Sequence, residues 1–157
     1  MSEVKLSPGS LFSIPLLNGT FALGVMLQFA NSKTALLASF LNFRITDRFD
    51  LRSTSWISSD LVFMSAVCSI LDFSTKRWRL ISELEGFDRD EWPFPIFYRV
   101  SNHFQKHQLI FYDDNLTDIK KMEWVDDLPA NALPDTVMGG GYLEKTLELA
   151  NLALRIH

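Results

Sequence analysis

Ser10-Leu11-Phe12-Ser13-Ile14-Pro15-Leu16-Leu17-Asn18-Gly19-Thr20-Phe21-Ala22-Leu23-Gly24-Val25-Met26-Leu27-Gln28 sets two apolar runs on either side of an Asn-Gly pair. Asn-Gly in that position predicts a tight β-hairpin, because the favoured turn needs positive φ at both central residues and these two adopt it at least cost. Pro15 has no N–H to give a ladder, so it belongs at a sheet edge or beside the turn. Gly24, inside the second run, predicts a bulge or a close backbone approach. Past the polar Asn31-Ser32-Lys33, residues 34–43 read as a third strand, and the three form a meander.

Further along, 44–60 is polar and serine-rich and reads as a long loop. Residues 61–71 place Val62, Met64, Ala66, Cys68 and Ile70 on one face of a strand. Residues 76–82 alternate again, with Arg77 and Arg79 on one side and Trp78 and Leu80 on the other, and Asp72 to Thr75 form the turn between. Residues 83–95 lose periodicity and hold Gly86, Pro93 and Pro95 among five acids, which predicts an exposed loop. Trp92-Pro93-Phe94-Pro95 should be extended, since a residue before proline avoids the helical region. Another strand pair, 107–112 and 116–124, flanks the turn Asp113-Asp114-Asn115, and Pro129, Pro134 and Gly139-Gly140-Gly141 mark a surface linker. A helix over 142–156 carries a polar stripe of Glu144, Glu148, Asn151 and Arg155 against an apolar one of Leu143, Leu147, Ala150 and Leu154. The expected fold is α+β, mainly β: an antiparallel meander forming a twisted sheet or partly open barrel, with a C-terminal amphipathic helix packed on it.

The 157 residues, 47% apolar, fit a single domain spanning 1–157 that can build a core without disulfides or metal. The lone Cys68 agrees, having no internal partner. Twenty aromatics, thirteen of them Phe, are core builders first. The net charge of −4 is unevenly spread: +3 over residues 1–82, −7 over 83–135, and 0 beyond. A pI near 5.3 argues against nucleic acid as the main partner, because a binder must neutralise phosphates. An acidic surface attracts a basic partner instead. No stretch reaches the length of an apolar membrane span and the N-terminus lacks an export pattern, so the reading is a cytoplasmic protein without membrane attachment.

Candidate chemistry is thin. His103 and His107 stand four apart, which on a helix would bring two imidazoles together, but a metal needs a third ligand and no Glu follows His103 as in the zinc-protease motif. Gly139-Gly140-Gly141 before a helix lacks the Lys and Ser or Thr of a phosphate loop and reads as a hinge. Cys68, in a buried strand, is a structural thiol. Paired carboxylates such as Asp126 and Asp127 sit on loops, where they seldom acquire the contrasting environments that acid–base chemistry needs. No catalytic, cofactor or metal residue is assigned. Aromatic anchors ringed by charge are what a protein interface uses, which selects Asp88, Asp90, Glu91, Trp92, Phe94, Tyr112, Asp113, Asp114 and Asp118 as candidate partner-binding residues.

Several segments carry a family resemblance. Gly9-Ser10-Leu11-Phe12-Ser13-Ile14-Pro15-Leu16, then Asn18-Gly19 and Phe21-Ala22-Leu23-Gly24-Val25-Met26-Leu27, resemble the opening of the Immunity protein 26 family of bacterial polymorphic toxin systems. Lys76-Arg77-Trp78-Arg79-Leu80-Ile81, the stretch from Pro93-Phe94-Pro95 to Phe97, and Gly141-Tyr142-Leu143-Glu144-Lys145-Thr146-Leu147 are similar to later pieces of it, with Ser82 standing where a glycine is expected. The resemblance implies a mostly β protein that binds and neutralises a cognate toxin domain without catalysis. Two other classes stay open. One is a small β-barrel module that binds nucleic acid or peptide through a basic face of Arg44, Arg48, Arg52, Arg77 and Arg79, and the other is an enzyme with His103 or His107 as base.

Overall fold

The computed structural model describes residues 5–30, 34–46, 51, 53–92, 94–101 and 106–155. The opening hairpin is β1 (Ser10–Pro15) against β2 (Phe21–Ala30), with Leu11 opposite Val25 and Pro15 opposite Phe21. Its connection is a short 3-10 turn over Leu17–Gly19, with Gly19 at φ +72° and the Leu16 N–H donating to the Thr20 carbonyl at 2.9 Å. The expected two-residue turn is thus replaced by a longer one, because Pro15 closes the ladder before Asn18 is reached. Gly24 fulfils both expectations: the pairing of β2 with β3 (Ala35–Ile45) shifts register between Ala22 and Gly24, and a Cβ there would overlap the Phe12 ring.

The chain continues through β4 (Val62–Ser69), α1 (Leu71–Ser74), β5 (Arg79–Glu83), β6 (Phe97–Ser101), β7 (Lys106–Tyr112), β8 (Ile119–Val125), β9 (Leu133–Pro134), α2 (Gly140–Leu149) and β10 (Ala153–Leu154). One sheet has the order β10-β3-β2-β1-β5, with β4 also on β3; the other has the order β8-β7-β6-β9. The pairings are antiparallel except β10 with β3 and β6 with β9. The fold is mainly β, its sheets are not closed into a barrel, and a helix follows them, as expected.

Strands β1, β2 and β3 of the first sheet are largely buried on both faces. Leu11, Leu23, Val25, Leu37 and Leu41 face one core, shared with Phe97 and Ile110 of the second sheet. Phe12, Ile14, Met26, Leu36 and Phe40 face the other, closed by Phe73, Trp78, Leu143 and Leu147. A strand covered on both sides has no solvent side to fill with polar residues, which is why the opening runs are nearly all apolar. Phe12 stacks on Trp78 at 5.6 Å between centroids and meets Phe73 edge-on at 4.9 Å.

Several expectations need correction. The segment 72–75 is a helical turn, and after it Lys76 at φ +62° reverses the chain, so that the Arg77 and Trp78 N–H groups both donate to the Asp72 carbonyl. That reversal drives Trp78 into the core before β5 begins and leaves Leu80 exposed, against the face expected for it. The C-terminal helix ends at Leu149, not 156: Asn151 turns left-handed at φ +52°, Leu152 is buried, and β10 pairs with Phe43 and Arg44. Strand β6, missed in the sequence, pairs Phe97 with Ile110. The loop 83–95 is only partly exposed, since Leu84 and Trp92 are buried and Phe87 packs with them.

Candidate functional site

Hydrogen bonds fix the base of the acidic loop. Leu84 N–H donates to Gly9 O at 2.8 Å and Glu85 N–H to Thr54 Oγ1 at 3.1 Å. Phe87 lies under Gly9 (φ +93°), where a side chain would collide with the ring. Trp92, 6% exposed, packs near Phe87 at 6.1 Å between centroids. Its backbone is extended (φ −107°, ψ 149°), as a residue before proline should be. Pro93 lies outside the described residues. Leu84, Phe87 and Trp92 of this loop point inward and its acids outward, so Trp92 is a buried support, not a surface anchor.

Between Asp88 and Trp92 the chain makes a 3-10 turn, Arg89–Glu91, capped by the Asp88 carboxylate, which accepts the Asp90 N–H at 3.0 Å. Arg89, the one base among these acids, turns inward. Its Nε donates to Gln28 Oε1 at 3.0 Å, one Nη to Trp92 O at 3.0 Å, and its guanidinium lies 5.5 Å from the centroid of the Phe94 ring. Burial opposes the Arg89 charge and lowers its pKa, with Asp90 compensating. The Gln28 amide in turn donates from Nε2 to Asp114 O at 2.9 Å, in the turn between β7 and β8. Gln28 therefore ties the two acidic loops together, though they are far apart in sequence.

That second loop is built around Asp113, whose Oδ1 accepts the Thr117 N–H at 2.8 Å and the Asp118 N–H at 3.3 Å. The Thr117 N–H is the main cause holding the Asp113 carboxyl below the ordinary aspartate range. Leu116, left-handed at φ +54°, is buried beneath the turn. Asp88, itself exposed, and Asp113, partly buried, are thus committed to their turns; Asp90, Glu91, Asp114, Asp118 and Phe94 are exposed. Tyr112 faces elsewhere, onto a cavity of about 200 Å³ lined by Phe97, Arg99, Leu116 and Asp135. Its hydroxyl donates to Asp135 Oδ1 at 2.7 Å, while Arg99 Nε donates to Oδ2 at 2.6 Å. Burial, then Asp135, raises the Tyr112 pKa.

Of the nine candidate residues, the fold leaves six exposed on two linked loops, Asp88 among them as a turn cap, and draws Trp92, Tyr112 and Asp113 wholly or partly inward. Gln28 and Arg89 were missed. A polar residue near the end of an apolar strand and a single base inside an acidic run were the available signals.

The remaining motifs resolve as structural. The Asp72 carboxyl accepts the Gly140 N–H and fills the space a Cβ there would need, so the start of α2 is already filled by this side chain. Burial, reinforced by Glu144 and opposed by Arg77, raises the Asp72 pKa. Cys68 is buried, and its Sγ–H donates to Leu36 O at 3.7 Å; burial pushes its thiol far up, away from nucleophile character. His107 lies half-buried on a strand beside Tyr98, and His103 lies outside the described residues. Among the described residues no cluster of His, Cys, Asp or Glu is placed to hold a metal, and no helix is long and apolar enough to cross a membrane. Arg44 donates to Leu152 O at 2.9 Å and Arg77 pairs with Glu144, so both serve the packing of the C-terminal segment; Arg48 and Arg52 lie outside the described residues.

Compared with known proteins, residues 7–108 match the family model of Immunity protein 26. That span runs from just before β1 into β7 and includes the first acidic loop; the turn 113–118, β8 and α2 follow it. No curated protein and no solved structure matches the chain.

Proposed function

The chain belongs to the Immunity protein 26 family, and from that premise we propose that it neutralises a bacterial toxin domain by docking it on the paired acidic loops, by binding and not by catalysis. The observation that carries this reading is Gln28, which holds Asp90, Glu91 and Phe94 of one loop beside Asp114 and Asp118 of the other. Acids spread over separate loops would act singly. Held together, they form one field that attracts a basic surface and speeds encounter with it, while the exposed Phe94 supplies an apolar contact at the rim. A toxin that acts on nucleic acid carries a basic cleft, which this surface complements in charge. Such a protein would act in the cytoplasm of the producing cell.

The experiment is co-purification with the toxin encoded beside the gene. Reversing Asp90, Glu91, Asp114 and Asp118 to lysine leaves both turn-forming aspartates in place. It should weaken toxin binding by at least about a hundredfold and reverse its dependence on salt, because salt then screens a repulsion between like charges brought face to face. Undiminished affinity in the folded quadruple variant would reject the acidic surface as the docking site.

A further inference from the structure

Strand β8 is the outer strand of the second sheet, pairing with β7 on one side and with no other described strand. It bears Ile119, Met122 and Trp124, all large and exposed, with Met122 at 54%. Met122 stands opposite Ile110, which is fully buried, so β8 carries the core-facing side of the sheet beyond the part that the rest of the protein covers. An edge strand is a template for another strand, and lysines placed on it ordinarily repel one. Lys120 and Lys121 are so placed, but Glu123 interrupts them.

We propose that β8 pairs antiparallel with β8 of a second copy of this chain, joining the two second sheets into one. The charge pattern selects both the partner and the register. A two-fold axis perpendicular to the sheet must set residues opposite one another symmetrically. A register centred on Met122 then places Met122 against its own copy and Lys121 against the second copy's Glu123, twice over, all beyond the irregularity at Lys120. Sliding by one pair in either direction sets Lys121 against Lys121 or Glu123 against Glu123, and both cost energy. Charge pairing therefore selects the register centred on Met122. Within one chain Lys121 already reaches Glu123 at 3.3 Å and lies 5.6 Å from the Phe111 ring centroid. The second copy extends that pair into a four-charge array on one face and buries the methionines on the other. The contact is small for a permanent dimer, so the association should depend on concentration in the micromolar range or above.

The test is light scattering after size exclusion, over a range of concentrations, on the full chain and three variants. Wild type should pass from monomer to dimer as concentration rises. Lys121→Glu and Glu123→Lys should each shift the midpoint at least tenfold upward, and the double exchange, which restores opposite charges in this register, should return it toward wild type. Circular dichroism checks that each variant is folded, and the double variant keeps the test valid if one single variant is not. Wild-type protein that stays monomeric to its solubility limit overturns the proposal. So does a dimer that both single reversals leave intact, or a double variant no better than either single one.

Discussion

The two sheets put their apolar residues to opposite ends. In the first, β1, β2 and β3 are covered on both faces, and Phe12, Phe40, Phe73 and Trp78 interlock on one of them. In the second, Phe97 and Ile110 are buried while Met122 and Trp124, on the adjoining strand, are exposed. The aromatics and aliphatics are of the same kinds; what differs is the number of layers over them. Stability should reside in the first sheet, and recognition in the second sheet and the loops at its side.

Removing the most enclosed ring is the strongest challenge to that contrast. Trp78→Ala leaves a cavity against Phe12 and deletes the indole N–H donated to Glu144 Oε1 at 3.0 Å, so it should cost about 3–5 kcal/mol in denaturant unfolding. A loss below about 1 kcal/mol, the ordinary scale of a point mutation, would mean that the aromatic cluster is not the stabilising centre.

Next is Gln28→Ala, which removes no charge. It deprives Arg89 Nε of its acceptor and frees the Asp114 carbonyl, and should destabilise the protein by roughly 1–3 kcal/mol. Because every acid stays in place, a loss of toxin affinity in Gln28→Ala, measured by calorimetry under folding conditions, would show that the loops act as one surface. Full affinity would show that they act separately.

A smaller effect concerns pH. The Asp113 carboxyl is depressed in the folded state, so its ionised form stabilises the turn above the ordinary aspartate pKa near about 3.9. That contribution is lost as pH falls through the depressed folded value, because the unfolded chain takes up the proton first. Asp113→Asn should therefore flatten the acid limb of a Tm-versus-pH curve and leave the slope above pH 6 unchanged. An unaltered acid limb would assign the stabilisation to the backbone alone.

The smallest effect is expected on the outer strand. Met122→Ser, measured at concentrations where the chain is monomeric, should change unfolding stability by no more than about 0.5 kcal/mol, as for a largely exposed side chain. A cost near that of Trp78→Ala would erase the distinction between the sheets.

What could be read from the sequence follows the range of the interactions involved. The hairpin, the role of Gly24, the third strand, the strand pair around Asp113 and the mainly β fold were legible, because apolar patterning and turn residues act between near neighbours. The family, too, could be recognised in the opening strands and the Trp78 segment. The limits of the C-terminal helix were not: a regular amphipathic pattern runs through 142–156, yet the edge of β3 offers Ala153 and Leu154 a ladder, and the chain leaves the helix to take it. The second layer over the first sheet left its mark in the nearly continuous apolar runs of β2 and β3, but the segments that form it were hidden, since Phe73, Trp78, Leu143 and Leu147 come from parts of the chain distant in sequence.

The candidate site shows the same division. Acidic residues and aromatics marked the two loops, but only folding separated buried Trp92 from exposed Phe94, and turn-forming Asp113 from exposed Asp114. By itself the sequence determined the strands, the loops and the excess of negative charge, because those depend on residue type and local order. The tertiary structure alone decided that Gln28 joins the loops and that β8 lies uncovered, because both depend on which distant segments come to lie side by side.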